Sequence, residues 1–173
     1  KDLVNRTKKI SGVLKNKKIL DIGCNDGSLL DIFKRHGCKT YGIEPTGAAK
    51  EAIKKKHTIY TSYFDTKISK KLINKFRNFD VITFTNVFAH IEDFNELIKS
   101  LKILIKPSTL LVIENHYFGE VIKKNQFDTF SHEHPRTYSL NSFSKISHLL
   151  DMHINDFNFV KRYNGNIRVF LSN

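Results

Sequence analysis

Histidine and glutamate residues in two parts of the chain have types and spacing that suit proton transfer. His132, Glu133 and His134 are consecutive, and His90 lies well upstream of them. Histidine titrates near neutral pH and is the commonest general base, so it can activate a carbon or oxygen nucleophile. A metal site is the alternative. Catalytic zinc, however, uses three protein ligands, and this spacing is not the helical H-E-x-x-H pattern. We predict base catalysis and no bound metal.

The elements that position these residues follow from the alternation of apolar runs and amphipathic stretches, which is typical of βαβ units. Predicted strands are Lys18–Ile22, Thr40–Ile43, Thr58–Tyr63, Phe79–Thr85 and Thr109–Glu114. Predicted helices are Ser28–His36, Thr46–Lys56, Lys67–Phe76, Phe94–Ile105, Tyr117–Asn125 and Asn141–Leu150, while 126–138 is irregular. Two final strand-like runs, His153–Tyr163 and Asn166–Leu171, flank Asn164-Gly165, a strong hairpin signal.

These elements predict an α/β fold with a Rossmann-like, mainly parallel sheet flanked by helices and an antiparallel C-terminal hairpin. In such sheets ligands bind beyond the carboxyl ends of the strands. The residues with chemical potential in this chain follow strand ends. We therefore expect them to meet at one edge of the sheet.

A glycine turn and a following carboxylate predict a nucleotide site. Gly23 and Gly27 bracket the turn after the first strand, and Glu44 ends the second strand, where a carboxylate can accept both ribose hydroxyls. The NAD fingerprint G-x-G-x-x-G is not met, because Asn25 replaces its middle glycine. Asp26 in the turn would also repel a pyrophosphate, whereas it suits a ligand with a cationic end, such as S-adenosylmethionine.

Ten residues are the candidates for binding that cofactor. They lie in the turn, at the ends of the second and third strands, and after the fourth strand: Asp21, Gly23, Asn25, Asp26, Gly27, Glu44, Pro45, Ser62, Asn86 and Phe88. Ser62 is chosen by position alone, since adenine contacts often follow the third strand. Phe88 lies near the expected adenine site, and a place in the core is its other interpretation.

Three segments resemble known enzymes. The run 21–30 (DIGCNDGSLL), with Gly-Ile-Glu-Pro at 42–45, resembles class I S-adenosylmethionine-dependent methyltransferases. Together with 86–91 (NVFAHI) and 127–134 (FDTFSHEH), it resembles the nucleotide-sugar C-methyltransferase family over about Lys18 to Leu171. The resemblance implies methylation of a carbon beside a ketone on a deoxy nucleotide-sugar, with S-adenosylmethionine as donor and S-adenosylhomocysteine as product.

The resemblance also implies roles for individual residues. The last histidine of the family's Tyr-His-Glu-His element corresponds to His134 and would be the general base. Glu133 would orient groups in the pocket, and His90 would handle sugar oxygens or the enolate. Candidate substrate-binding residues surround them: Ser131, His132, Asn115, His116 and Arg168.

Departures from the family pattern fall on the substrate side. The family's tyrosine is Ser131, its Glu-Val-Pro reads Glu114-Asn115-His116, and its Gly-Gly-Ser-x-Arg reads Asn164-Gly165-Asn166-Ile167-Arg168. Losing the tyrosine removes a phenol that could bond to a keto oxygen or enolate. A hydroxyl acceptor needs a base but no enolate stabiliser, so O-methylation of a sugar hydroxyl stays open beside C-methylation.

Length and charge bound the remaining possibilities. The 173 residues are expected to form one methyltransferase domain, 1–173, cut from a longer protein and fused there to other sugar-modifying domains. The net charge of +12 raises the possibility of an RNA or DNA partner, but only 6 of the 29 basic residues are arginine. After the fourth strand, Asn86-Val87-Phe88 also lacks the Pro pair of adenine methyltransferases.

Nucleic acid is therefore not the expected partner; a small-molecule nucleotide-sugar is. No run reaches about 18 apolar residues, so we expect no membrane partner. Two cysteines, Cys24 and Cys38, suit free thiols in a reducing cytoplasm, or a host cytoplasm for a viral protein. A non-catalytic cofactor-binding module of a fused protein is a further alternative.

Overall fold

The fold is a seven-stranded sheet with helices on both faces. The structure, a computed structural model, describes residues 1–126, 135–162 and 165–173. The strands are β1 (Lys18–Ile22), β2 (Lys39–Ile43), β3 (Thr58–Tyr60), β4 (Val81–Thr85), β5 (Leu110–His116), β6 (His153–Val160) and β7 (Asn166–Ser172). The helices are α1 (Asp2–Ser11), α2 (Ser28–Arg35), α3 (Ala49–Lys54), α4 (Thr66–Phe76), α5 (Phe94–Leu104), α6 (Phe118–Lys123) and α7 (Leu140–Leu149), and a 3₁₀ turn spans Phe88–His90.

The strand order is β3-β2-β1-β4-β5-β7-β6. The strands β1 to β5 pair in parallel, while β7 is antiparallel to both β5 and β6. Ile22 at the end of β1 lies beside Ile43 of β2 and Phe84 of β4. The residues that follow these three positions therefore emerge at the same edge of the sheet, as the sequence analysis expected.

Apolar side chains cover both faces of the sheet, as buried parallel strands require. One cluster joins Phe84 and Phe88 to α5 and α7, and a second joins Ile19 and Phe170 to α1 and α2. Side-chain caps fix the starts of α4, α5 and α7. Asp65 accepts from the Ile68 N–H at the start of α4, and Ser139 forms a capping box at α7.

The first helix, α1, is an element that the sequence analysis did not predict. Only Leu3, Val4 and Thr7 of its ten residues are buried, so its apolar pattern is weak. Its position is set by the C-terminal hairpin, because the Arg6 guanidinium donates to both carboxylate oxygens of Asp156 in β6, at 2.6 and 2.7 Å. Because Arg6 and Asp156 are 150 residues apart in the sequence, no local pattern predicts their contact.

The predicted fold class is confirmed, and apart from α1 the differences lie at the ends of the elements. The strand predicted over Thr58–Tyr63 ends at Tyr60, and the strand predicted from Phe79 begins at Val81. The antiparallel C-terminal pair is present, although residues 163 and 164 lie outside the described residues. Within the described ranges, no helix combines the length and apolarity needed to cross a bilayer.

Replacing Phe84 by Ala should test the larger cluster. Phe84 is fully buried, and its ring meets those of Phe64 and Phe88 edge to face. We expect a loss of about 3–5 kcal/mol in the free energy of unfolding, measured by urea denaturation, because the truncation leaves a cavity. The control Ile53→Ala removes a half-exposed side chain and should change that free energy by less than about 0.5 kcal/mol. Equal losses in both variants would contradict this packing.

Candidate functional site

A cleft of about 650 Å³ opens at the carboxyl edge of the sheet. Its volume lies within the range of small-molecule sites. The walls come from the glycine turn, the ends of β1, β2, β4 and β5, the start of α1 and the C-terminal hairpin. The lining residues are Lys1, Asp2, Leu3, Asp21, Gly23, Cys24, Asn25, Asp26, Ser28, Leu29, Ile32, Glu44, Thr85, Asn86, Val87, Glu114, Arg162 and Arg168.

The glycine turn is packed tightly between its neighbours. Gly23 has φ 71°, and a Cβ there would lie 2.3 Å from Cγ2 of Val87, so a larger residue would displace the segment after β4. The N–H groups of Gly23 and Cys24 both donate to the Ile43 carbonyl, at 2.8 and 3.1 Å. These bonds fix the turn against the end of β2, where Glu44 follows.

Glu44 is the carboxylate that the turn holds most closely. Its side chain is buried, and its two oxygens each accept one backbone N–H at 2.9 Å, from Asn25 in the turn and from Thr46. Each carboxylate oxygen has two acceptor directions, so both oxygens can accept a further hydrogen bond from a ligand. Glu44 is therefore a fixed, directional acceptor in the cleft wall.

Asp21 and Asp26 have opposite electrostatic environments. Burial and, to a smaller extent, the charge of Glu44 together raise the pKa of Asp21 to about 7, against the lowering effect of the Thr83 hydroxyl bond. Hydrogen bonds from Ser28 and Lys55 instead lower the pKa of Asp26 to about 2. The cleft thus holds one carboxyl group that ionises reluctantly and one that is firmly ionised.

On the opposite side of the cleft, Glu114 and Arg168 form a buried ion pair. Arg168 Nε and Nη2 approach Oε2 of Glu114 at 2.8 and 2.7 Å, and Nη1 donates to Asp2 of α1 at 2.7 Å. Asn166 Nδ2 donates to Oδ1 of Asn86 at 2.8 Å and to Glu114 Oε1 at 3.3 Å. Removing one partner of such a pair leaves an uncompensated buried charge.

A small crevice adjoins the cleft at Asn86. It is about 20 Å³ in volume and is lined by Asn86, Ala89, His90, Asn115, His116, Arg136 and Thr137. The Arg136 guanidinium donates to the Ile91 carbonyl at 2.9 Å and lies over the Phe94 ring. His90 after β4, His116 at the end of β5 and Arg136 therefore line one crevice beside the cleft.

The structure brings most, but not all, of the sequence-derived candidates together. Asp21, Gly23, Asn25, Asp26, Glu44, Asn86 and Arg168 line the cleft, and His90, Asn115 and His116 line the crevice. Among the described residues, the cleft lining does not include Gly27, Pro45, Ser62 or Phe88. Phe88 is fully buried and packs against Phe84, Tyr138 and Phe143.

Four candidates, Ser131, His132, Glu133 and His134, lie outside the described residues. In the described part of the chain, no three His, Cys, Asp or Glu side chains are grouped so as to hold a metal ion.

Sequence reasoning missed several lining residues. Glu114 is given no role in the sequence analysis, although its position at the end of a buried strand is a usable signal. Asp2 and Leu3 reach the cleft through α1, which was not predicted. Arg136 becomes notable only through its contact with the segment after β4.

The comparisons with known proteins agree on one family. A sequence profile described as "Methyltransferase domain" matches residues 2–151. The C-methyltransferase NovU of Streptomyces niveus is 26% identical over 160 residues, which are 92% of this chain and 38% of that protein. A ubiquinone biosynthesis O-methyltransferase of Actinobacillus pleuropneumoniae is 32% identical over 102 residues, covering 55% of this chain and 44% of that protein. The chain thus spans less than half the length of these relatives.

Solved structures share the fold. A SAM-dependent methyltransferase from Archaeoglobus fulgidus superposes with a TM-score of 0.75 at 16% identity, covering 99% of this chain and 94% of that one. Magnesium protoporphyrin IX methyltransferase from Synechocystis PCC 6803, solved with bound SAH, gives a TM-score of 0.73 at 17% identity, covering 98% and 80%.

The Asp21→Asn variant should gain stability relative to the parent chain as pH rises. The raised pKa of Asp21 means that folding favours its protonated form. Its stabilising contribution is complete below the unfolded pKa of about 4 and is lost as pH rises to about 7. Asn keeps an oxygen for the Thr83 hydroxyl and has no charge to bury. In urea denaturation from pH 4 to 8, the free energy of unfolding of Asp21→Asn minus that of the parent chain should grow with pH and then level off. A difference independent of pH would contradict the buried ionisation.

Proposed function

Because this chain belongs to the methyltransferase domain family and is a class I S-adenosylmethionine-dependent methyltransferase domain, we propose that its acceptor is a nucleotide-linked deoxysugar. The methyl group goes to a carbon beside a ketone or to a sugar hydroxyl, and His134 is the general base. The main support for the proposal is that two sites adjoin at the carboxyl edge of the sheet. One is the carboxylate-lined cleft, and the other is the crevice lined by His90 and His116.

The chemistry of the cleft fits the donor. Glu44 offers two fixed acceptor oxygens to a pair of ribose hydroxyls, and Asp21 and Asp26 suit a cationic amino-acid end. The Thr85 hydroxyl is buried at the cleft and has no partner among the described residues, so it can serve a ligand. When bound, S-adenosylmethionine supplies an electrophilic methyl group on a positively charged sulfur.

Residues of the crevice suit the acceptor. A ketone α-carbon or a hydroxyl becomes a good nucleophile only as its proton leaves, and histidines beside the cleft can accept that proton or bind the sugar oxygens. Asn115 has a buried amide whose Nδ2 donates to the Glu114 carbonyl and whose Oδ1 accepts from Ala89 N–H. Asn115 therefore fixes the ends of β4 and β5 relative to each other and so keeps His90 and His116 at one crevice.

Support for carbon as the acceptor atom comes from the similarity to C-methyltransferase NovU over 92% of this chain, and the sugar is inferred from the family resemblance of the motifs. The O-methyltransferase relatives keep oxygen open as the acceptor atom. Ser131 in place of the family tyrosine removes a phenol that could stabilise an enolate, which leaves O-methylation of a hydroxyl open. We place the reaction in the cytoplasm, where the buried free thiols of Cys24 and Cys38 stay reduced.

Mass spectrometry on the domain with S-adenosylmethionine and matched nucleotide deoxysugars tests this proposal. One set carries a 4-keto group, and the other carries the reduced hydroxyl. We expect the mass of one added methyl group in at least one set, and fragmentation then assigns it to carbon or oxygen. No methylated product in either set, with tight binding of S-adenosylhomocysteine, would contradict the sugar acceptor while leaving the donor site intact.

His134→Ala should separate catalysis from donor binding. We expect turnover to fall by about 10²–10⁴-fold, the usual contribution of a general base, because the acceptor proton has no positioned recipient. The dissociation constant of S-adenosylhomocysteine, measured by calorimetry, should stay within a few-fold. His148→Ala, which changes an exposed histidine of α7, is the matched control and should leave both values unchanged. Retained turnover in His134→Ala would rule out the assigned role.

A further inference from the structure

A buried histidine behind the cleft, His57, packs directly against the glycine turn. It lies between α3 and β3, with its side chain out of contact with solvent. A Cβ added at Gly27 would lie 2.8 Å from Cδ2 of His57, and Gly27 also has φ 79°. The absence of a side chain at Gly27 is therefore what allows the imidazole ring to support the turn from behind.

Both ring nitrogens of His57 have partners. Nε2 lies 3.0 Å from Oδ1 of Asp31 in α2, and Nδ1 lies 2.8 Å from Oγ1 of Thr40 in β2. A carboxylate can only accept, so Nε2 donates to Asp31 and Nδ1 accepts from the Thr40 hydroxyl. The ring thus connects α2 to β2 in a fixed orientation, which a purely apolar side chain would not impose.

A second connection reaches the cleft itself. Lys55 Nζ lies 3.0 Å from Oδ2 of Asp26 and 3.5 Å from Oδ2 of Asp31. Asp26 lines the cleft and accepts from the backbone N–H and the hydroxyl of Ser28, at 3.0 and 2.8 Å. Asp31 therefore contacts the buried His57 ring on one side and, on the other, Lys55, which also pairs with Asp26 in the turn.

We propose that His57 is a positioning residue for donor binding: through Gly27, Asp31 and Lys55 it holds the glycine turn in the shape that the donor meets. The inference concerns the donor half of the site, so it does not depend on the identity of the acceptor.

Protonation gives this arrangement a pH dependence. The groups that face His57 are Asp31 and Lys34 from α2, Lys55 after α3, and the Thr40 hydroxyl. Burial lowers the pKa of His57 from its ordinary 6.5, against the opposing effect of Asp31, so the ring is neutral at neutral pH. A proton on Nδ1 would turn the Thr40 hydroxyl away. We expect donor affinity to fall as pH drops below the His57 pKa.

Calorimetric titration with S-adenosylhomocysteine tests the proposal on variants that circular dichroism verifies as folded. His57→Ala should raise the dissociation constant by about tenfold, the effect of losing one well-placed hydrogen bond. His57→Gln keeps a donor toward Asp31 and should recover part of this loss, without the fall in affinity at low pH. Leu72→Ala, a fully buried change in α4 remote from the turn, should lower stability and leave affinity unchanged.

A double-mutant cycle adds an independent readout. Gly27→Ala places a methyl group against the His57 ring, so its cost in affinity should be smaller when His57 is already Ala. If the losses of binding free energy in the two single variants simply add in the double variant, the contact between Gly27 and His57 does not contribute to affinity. Parent-like affinity in folded His57→Ala, with tight binding by the parent chain, would overturn the positioning role. Failure of the parent chain to bind would instead refute the donor assignment.

Discussion

Three carboxyl groups lie at the carboxyl edge of the parallel strands, near the ends of β2, β1 and β5, and the architecture of the site depends on how their charge is compensated. Glu44 is held by two backbone N–H groups, Glu114 by the Arg168 guanidinium, and Asp21 by a single hydroxyl. Buried carboxylates are stable only when paired, hydrogen-bonded or protonated. Hydrogen bonds stabilise Glu44, an ion pair stabilises Glu114, and a raised pKa favours the protonated form of Asp21, whose ionised form would prefer a positive charge nearby. The family's cationic donor matches that preference.

Parts of the chain distant in sequence supply the positive charge that compensates the buried Glu114 carboxylate. Arg168 comes from β7, and its guanidinium also reaches Asp2 in α1. A second bridge, Arg6 to Asp156, joins α1 to β6. The antiparallel strands added to the parallel core thus close one side of the cleft through ion pairs. The partly exposed Arg6–Asp156 pair adds little stability, whereas loss of one partner of the buried Glu114–Arg168 pair would leave an uncompensated charge.

The features of the fold and site that could be predicted from the sequence are those formed by residues close together in the chain. The turn at Gly23, the acid at Glu44 and the parallel strands have local patterns; the turn and the strands are confirmed, while the role of Glu44 stays a prediction. The helix α1 has few apolar residues and is fixed by Arg6 and Asp156, so no local pattern predicted it. His57 was assigned no role, because its meaning depends on Gly27, Asp31 and Thr40, which only the fold brings together. The roles of His134 and Glu133 remain predictions from family resemblance.

The central claim is that the turn and Glu44 form the donor site, and the affinity of S-adenosylhomocysteine for Glu44→Gln tests it most directly. Glutamine would present an NH₂ group to one of the two backbone N–H donors that now bond Glu44. We predict an affinity at least about tenfold weaker than that of the parent chain. Glu51→Gln, an exposed change in α3, should bind as the parent does. Equal affinity in all three proteins would contradict the account.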